Sequence, residues 1–182
     1  MLKNLVLLIC IGIVIWFVTI GRLQVTEENV RALYAQAEAA FERADGKAYC
    51  ELFTDGVSGK IIVRAPSAPI SNSKALIDKR YVCTEVAGFY RSKEKMENMS
   101  RGVSIDVNRS YDIKSISIAS DKKSATVEVL IDIRFVTYVG EMMILKIKQT
   151  DQIKISSGKI KFFQREAVGT YSAGAAGNPS YR

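Results

Sequence analysis

Apolar positions along this chain fall into three rhythms, and each predicts a different element. From Leu5 to Ile20 they run without a single charge, "LVLLICIGIVIWFVTI", flanked by Lys3 and Arg22. At 1.5 Å per residue the run spans about 24 Å, short of a hydrocarbon core of about 30 Å, so the flanking cations would snorkel or the bilayer thin locally. Trp16 and Phe17 suit a membrane interface, whereas the residues Thr19, Ile20 and Gly21 make a poor cleavage site. The reading is a retained signal-anchor over residues 1–22, in the bilayer through 5–21, with the following domain on the extracytoplasmic (periplasmic) side. The rival is a cleaved leader.

The second rhythm is helical. Thr26 caps a helix with Glu27 and Glu28 in its first turn, where acidic side chains complement the helix dipole. Val30, Leu33, Tyr34, Ala37, Phe41 and Ala44 then form one apolar stripe. Gly46 is expected to end it through a left-handed cap. Ala48, Tyr49, Leu52 and Phe53 make a second, shorter stripe ended by Asp55-Gly56, so two angled helices replace one straight one. "GKIIVRAP" reads as a strand and "APSAPISNS" as a loop. Ser73 is expected to cap a third helix reaching about Ser92, with Leu76, Ile77, Tyr81, Cys83, Ala87 and Tyr90 inward.

The third rhythm has a period of two. "ATVEVLIDIRFVT" puts Val127, Val129, Ile131, Ile133 and Phe135 on one face, with Glu128, Asp132 and Arg134 on the other. "MMILKIKQTDQIKI" repeats this, with Met143, Leu145 and Ile147 inward and Lys146 and Lys148 outward. "SYDIKSISIAS" precedes these strands and "IKFFQREAVGTY" follows them, joined by the turns "DKKS", "YVGE" and "SSGK". The last residues, 172–182, read as a flexible tail behind a domain at 23–171.

Composition narrows the chemistry. The 182 residues contain no histidine, which removes Ser-His-Asp and Cys-His catalysis and every histidine-bound metal. Cys10, Cys50 and Cys83 are too few and scattered for a thiolate zinc site or an iron–sulfur cluster. No metal site and no cofactor are therefore expected. The formal charge of +7 is spread along the chain. The aromatics among Lys146, Lys148 and Lys154 are too few for a nucleic-acid platform, so nucleic acid is not an expected partner. "DGVSGKI" has the wrong spacing for a phosphate loop, and Ile61 stands where that loop needs Ser or Thr. Asn98 and Asn108 open glycosylation sequons that matter only in a eukaryotic secretory pathway.

Three helices followed by long antiparallel strands make an α+β layer arrangement. The pieces "ERADGKAYCELFTDGV" and "DQIKISSGKI" carry a resemblance to the nuclear transport factor 2-like superfamily, also called SnoaL-like or cystatin-like, over Thr26 to Tyr171. The resemblance implies three helices packed on a curved, mostly antiparallel sheet that forms a cone. It says little of function, because that superfamily holds isomerases, cyclases, hydrolases, transport factors and scaffolds. Steroid-isomerase-like members use a tyrosine on the first helix and an aspartate on the first strand. Matched through "DGKAYCELF", these positions fall at Ala37 and near Ile61, neither of which moves a proton. No catalytic set is evident.

Four residues are candidates for the cone's interior: Tyr34, Tyr81, Gln149 and Asp151. Asp151 shares the inward parity of Met143, Leu145 and Ile147, and a carboxylate buried there suits a base. The plainer reading sets Gln149 and Asp151 past the core edge and makes the tyrosines ordinary amphipathic core. Cys50 and Cys83 are a disulfide candidate, since both fall on helices over one side of the sheet and export would place them in an oxidising compartment. The alternative is two buried thiols. The expected role is binding, or assembly of an envelope complex with an unknown envelope protein. A scaffold like the same-fold inner-membrane component of type IV secretion machines is a weaker match, because no cytoplasmic tail precedes Leu5. The alternative is an isomerase, cyclase or hydrolase acting on a small hydrophobic molecule in the cone. Leu130, Val136, Met142 and Ile144 interrupt the outward charges of the sheet, so a homodimer through that open face is expected.

Overall fold

A computed structural model describes residues 23–64, 73–99 and 103–173. The apolar run at 5–21 and the end of the chain from 174 lie outside the described residues. Among the described residues, no helix is long and apolar enough to cross a membrane.

Helix α1 covers Glu27–Glu42 and starts where the sequence predicts. The Thr26 hydroxyl accepts from the Asn29 amide at 3.3 Å, and the Asn29 side chain accepts from the Thr26 amide at 2.8 Å, a reciprocal cap that satisfies two otherwise unpaired donors. Its end differs from the expectation. Ala44, not Gly46, takes the left-handed conformation with φ +54°, and its side chain is exposed instead of continuing the stripe. Gly46 opens helix α2, Gly46–Glu51, whose cap is Asp45 accepting from the Ala48 amide at 2.9 Å. Asp55-Gly56 does not end a helix either. Strand β1, Phe53–Arg64, has already begun, and the pair sits in an irregularity between Phe53 and Ser58.

The largest departure follows β1. Ser73–Ile77 is strand β2, paired antiparallel with β1, and helix α3 spans Lys79–Met99. Ser73 is therefore not a cap. That role falls to Asp78, which accepts from the Tyr81 amide at 2.7 Å. Five residues are too few for periodicity to separate the two states, and the free edge of β1 offers a ladder that a helix would waste. Ile77 packs into the core while Leu76 is 74 % exposed, the alternation of a strand. The buried residues of α3 are Val82 and Val86; Ala87 is exposed.

Strands β3 (Asp106–Ile118), β4 (Ser124–Thr137), β5 (Gly140–Ser156) and β6 (Lys159–Ala173) form the predicted meander. The six strands make one sheet in the order β2-β1-β6-β5-β4-β3, antiparallel except for the β1–β6 pair. Inward residues of β4 and β5 face each other in register, Ile131 opposite Ile147 and Ile133 opposite Leu145. The core lies between this face and the three helices, where Leu33, Phe41, Tyr49, Phe53, Val82, Val86 and Phe162 meet.

Candidate functional site

Helix α3 and the inner face of the sheet line a cavity of about 530 Å³. Its walls are apolar, built from Phe41, Phe89, Ile131, Ile133, Phe135 and Leu145 among others. Tyr81, Glu85, Arg109, Gln149 and Arg165 supply polar lining.

A buried ionic network lies next to it. Asp151 is 0 % exposed and does not line the cavity. Arg165 donates to it through Nε at 2.8 Å and Nη2 at 3.3 Å, Tyr34 Oη donates at 2.6 Å, and Gln149 Nε2 donates at 2.6 Å. Arg165 Nη1 donates to Tyr49 Oη at 2.9 Å and lies 3.9 Å from Glu85. The network draws on both layers: Tyr34 comes from α1, Tyr49 from α2, Glu85 from α3, Asp151 from β5 and Arg165 from β6. Burial alone would lower the Arg165 pKa, but Asp151, Tyr49 and Glu85 together outweigh it and hold the guanidinium charged. Burial, then the Asp151 carboxylate, pushes the Tyr34 hydroxyl far above its ordinary range, and burial does the same to Tyr49. Both remain protonated, Tyr34 donating to Asp151 and Tyr49 accepting from Arg165.

Arg165 owes its place to two backbone irregularities. Phe162 and Arg165 both point inward although they are three residues apart, because the β5–β6 register shifts between Gln152 and Ile153 and leaves one extra residue in β6. Beside it on β1, Gly59 pairs with Arg165 at φ +156°, and a Cβ there would overlap the Arg165 carbonyl. Only glycine permits that approach.

Of the four residues singled out from the sequence, Tyr81 and Gln149 line the cavity, while Tyr34 and Asp151 form the network beside it. Gln149 and Asp151 are both buried, so they do not lie past the core edge. Asp151 is also not a free base, since all four donors named above converge on its carboxylate. Ala37 is buried core and Ile61 lines the cavity, so the steroid-isomerase positions carry no acid–base group here either.

Sequence reading missed Glu85, Arg109 and Arg165. Glu85 follows Tyr81 by four residues and so shares its face of α3, a spacing that could have revealed it. Among the described residues it is the one carboxylate lining the cavity, its side chain 28 % exposed. Burial pushes its carboxyl up, against Arg165 and the Tyr49 hydroxyl, which pull it down. Burial and Glu85 likewise raise Tyr81. Arg109 of β3 pairs with Glu38 of α1 and stacks over Phe41, 4.4 Å from the ring centroid.

Cys50 of α2 and Cys83 of α3 are joined as a disulfide with a Cα separation of 4.5 Å. Lys79 braces the same junction, donating to the carbonyls of Cys50 at 3.0 Å and Phe53 at 2.7 Å. Among the described residues no cluster of His, Cys, Asp and Glu has the makings of a metal site.

No protein-family model and no curated protein sequence matches the chain. Solved structures do. Aln2 from a Streptomyces species superposes with a TM-score of 0.55 at 10 % identity, over 80 % of this chain and 94 % of that one. A conserved protein from Planctomyces limnophilus gives 0.52 at 12 %, over 80 % and 97 %. A ketosteroid isomerase-like protein from Erwinia carotovora gives 0.50 at 14 %, over 79 % and 97 %. At such identities the likeness concerns fold and not activity. Its six-stranded curved sheet under three helices gives this chain the nuclear transport factor 2-like α+β cone fold.

Proposed function

We propose that the cone is a binding site for a small, mostly apolar molecule, carried by a domain tethered to the membrane through residues 5–21 and facing the extracytoplasmic side. The observation that supports binding over pure scaffolding is the cavity itself. Its 530 Å³ falls within the range of about 300 to 1,000 Å³ of small-molecule sites, and it pairs apolar walls with a few polar groups. A scaffold cone needs no such space. Native mass spectrometry of the full chain, gently extracted, tests this: a small molecule should copurify with the wild type and be lost from Ile133→Trp, which fills the cavity. A ligand-free wild type together with an Ile133→Trp variant of raised melting temperature would show the cavity to be a packing void.

A second reading is favoured by Glu85, a carboxylate of raised pKa facing an apolar cavity, as a general acid or base requires. In it the domain is an isomerase, cyclase or hydrolase for that molecule. Loss of turnover with retained binding in Glu85→Gln supports this reading; unchanged turnover removes it.

The tether predicts retention in membranes after alkaline carbonate washing, and a mature chain beginning near Arg22 would exclude it. Protease access from the periplasmic side of intact inner membranes tests the orientation. On the open sheet face, Leu130 and Val168 are 37 % and 38 % exposed and flank Lys148 across three strands, a surface suited to a second copy or to an envelope protein. Light scattering that finds only monomer at high micromolar concentration excludes the homodimer.

A further inference from the structure

We infer that the molecule held in the cone is an amphipathic organic acid whose carboxylate is received by Arg109, an assignment that rests on the cavity being a small-molecule site. The Arg109 side chain lines the cavity and is only 16 % exposed. A guanidinium has five N–H donors, and although burial and then the Arg165 charge pull the Arg109 pKa down to about 10, it stays charged at neutral pH. Glu38 engages Arg109 through Nη1, and the Phe41 ring covers one face. Nε and Nη2 have no hydrogen-bond partner among the described residues. A planar pair of N–H donors is the group that a carboxylate meets with two parallel bonds, whereas a hydroxyl or carbonyl satisfies only one.

The balance of charge on the cavity wall agrees. Among the described residues Arg91, Arg109 and Arg165 line it against a single carboxylate, Glu85, while Glu38 and Asp151 sit behind the wall. Arg165 is spent on Asp151 and Tyr49, and Arg91 is exposed, which leaves Arg109 as the buried cation with donors to offer. Burial favours the neutral form of Glu85 and so lessens its opposition to an anion. The second oxygen of Glu38, Oε1, is buried without a protein partner. Glu38 and Arg109 also line a void of about 20 Å³, the space of one water. Phe41, Phe89 and Phe135 on the cavity wall suit an aromatic or alicyclic body.

Isothermal titration of the full chain in zwitterionic-lipid nanodiscs, corrected with empty nanodiscs, compares 2-naphthylacetate with the isosteric 2-naphthylethanol. The acid should bind roughly tenfold to a hundredfold more tightly, and Arg109→Gln should collapse that ratio. Glu38→Gln keeps a polar partner for Nη1 while removing the competing charge, and should raise the ratio severalfold, which settles the matter if Arg109→Gln does not fold. Equal binding of acid and alcohol to the wild type, a ratio that survives Arg109→Gln, or a ratio unmoved by Glu38→Gln overturns the assignment. Binding of neither probe overturns the cavity reading and the head-group assignment with it.

Discussion

Asp151 and Arg165 stand directly opposite one another on β5 and β6 and are joined by two hydrogen bonds, with the carboxylate fully buried. Two opposite charges taken out of water repay their desolvation only while each has the other. Asp151→Leu or Arg165→Met alone should therefore cost about 3 to 5 kcal/mol in urea unfolding, because each strands the partner charge. The double variant should cost much less than the sum. If the two losses simply add, the residues are not coupled as described.

Glu85 sets a pH dependence of opposite sign to that of a salt-bridged carboxylate. Burial raises its pKa, against the pull of Arg165 and Tyr49, with Asp151 adding to the rise and Tyr81 beside it on the same helix. The folded chain thus holds this proton at a pH where the unfolded chain has lost it. Stability from Glu85 is present below the ordinary carboxylate pKa of about 4.3 and is lost as pH rises through the higher folded value. The stability of Glu85→Gln relative to wild type should rise from about pH 4 upward and then level off. A difference that is flat or falls over that range would contradict a raised folded pKa.

The Cys50–Cys83 disulfide closes a loop with a sequence separation of 33 between α2 and α3. In the chain-entropy model such a loop stabilises by about 3 to 4 kcal/mol. Thiol titration of the unfolded, unreduced full chain should find one free thiol among its three cysteines, and Cys50→Ala with Cys83→Ala should lower stability by about that amount. Three free thiols would exclude the bond. An unchanged unfolding midpoint would show that Lys79 and the surrounding packing hold the junction by themselves.

Where one face is buried and the other wet, the sequence states the answer locally. The alternation from Val127 to Phe135 defines β4, the parity of Met143, Leu145 and Ile147 carries on to Gln149 and Asp151, and Thr26 defines the start of α1. The absence of histidine excluded whole classes of chemistry without reference to any fold.

The ionic network and the cavity were decided by contacts between distant segments. Parity counted from Phe162 would turn Arg165 outward; one extra residue in β6 reverses it, and the need for that residue arises only from pairing with β5. Ser73–Ile77 became a strand because the edge of β1 was there to receive it. Glu85 and Arg109 matter because α3 and β3 bring them to one cavity from separate parts of the chain, Glu85 at its wall and Arg109 beside Phe41. Burial pattern is written along the chain, whereas register, bulges and the meeting of charges are properties of surfaces that exist only once the sheet and helices have closed on each other.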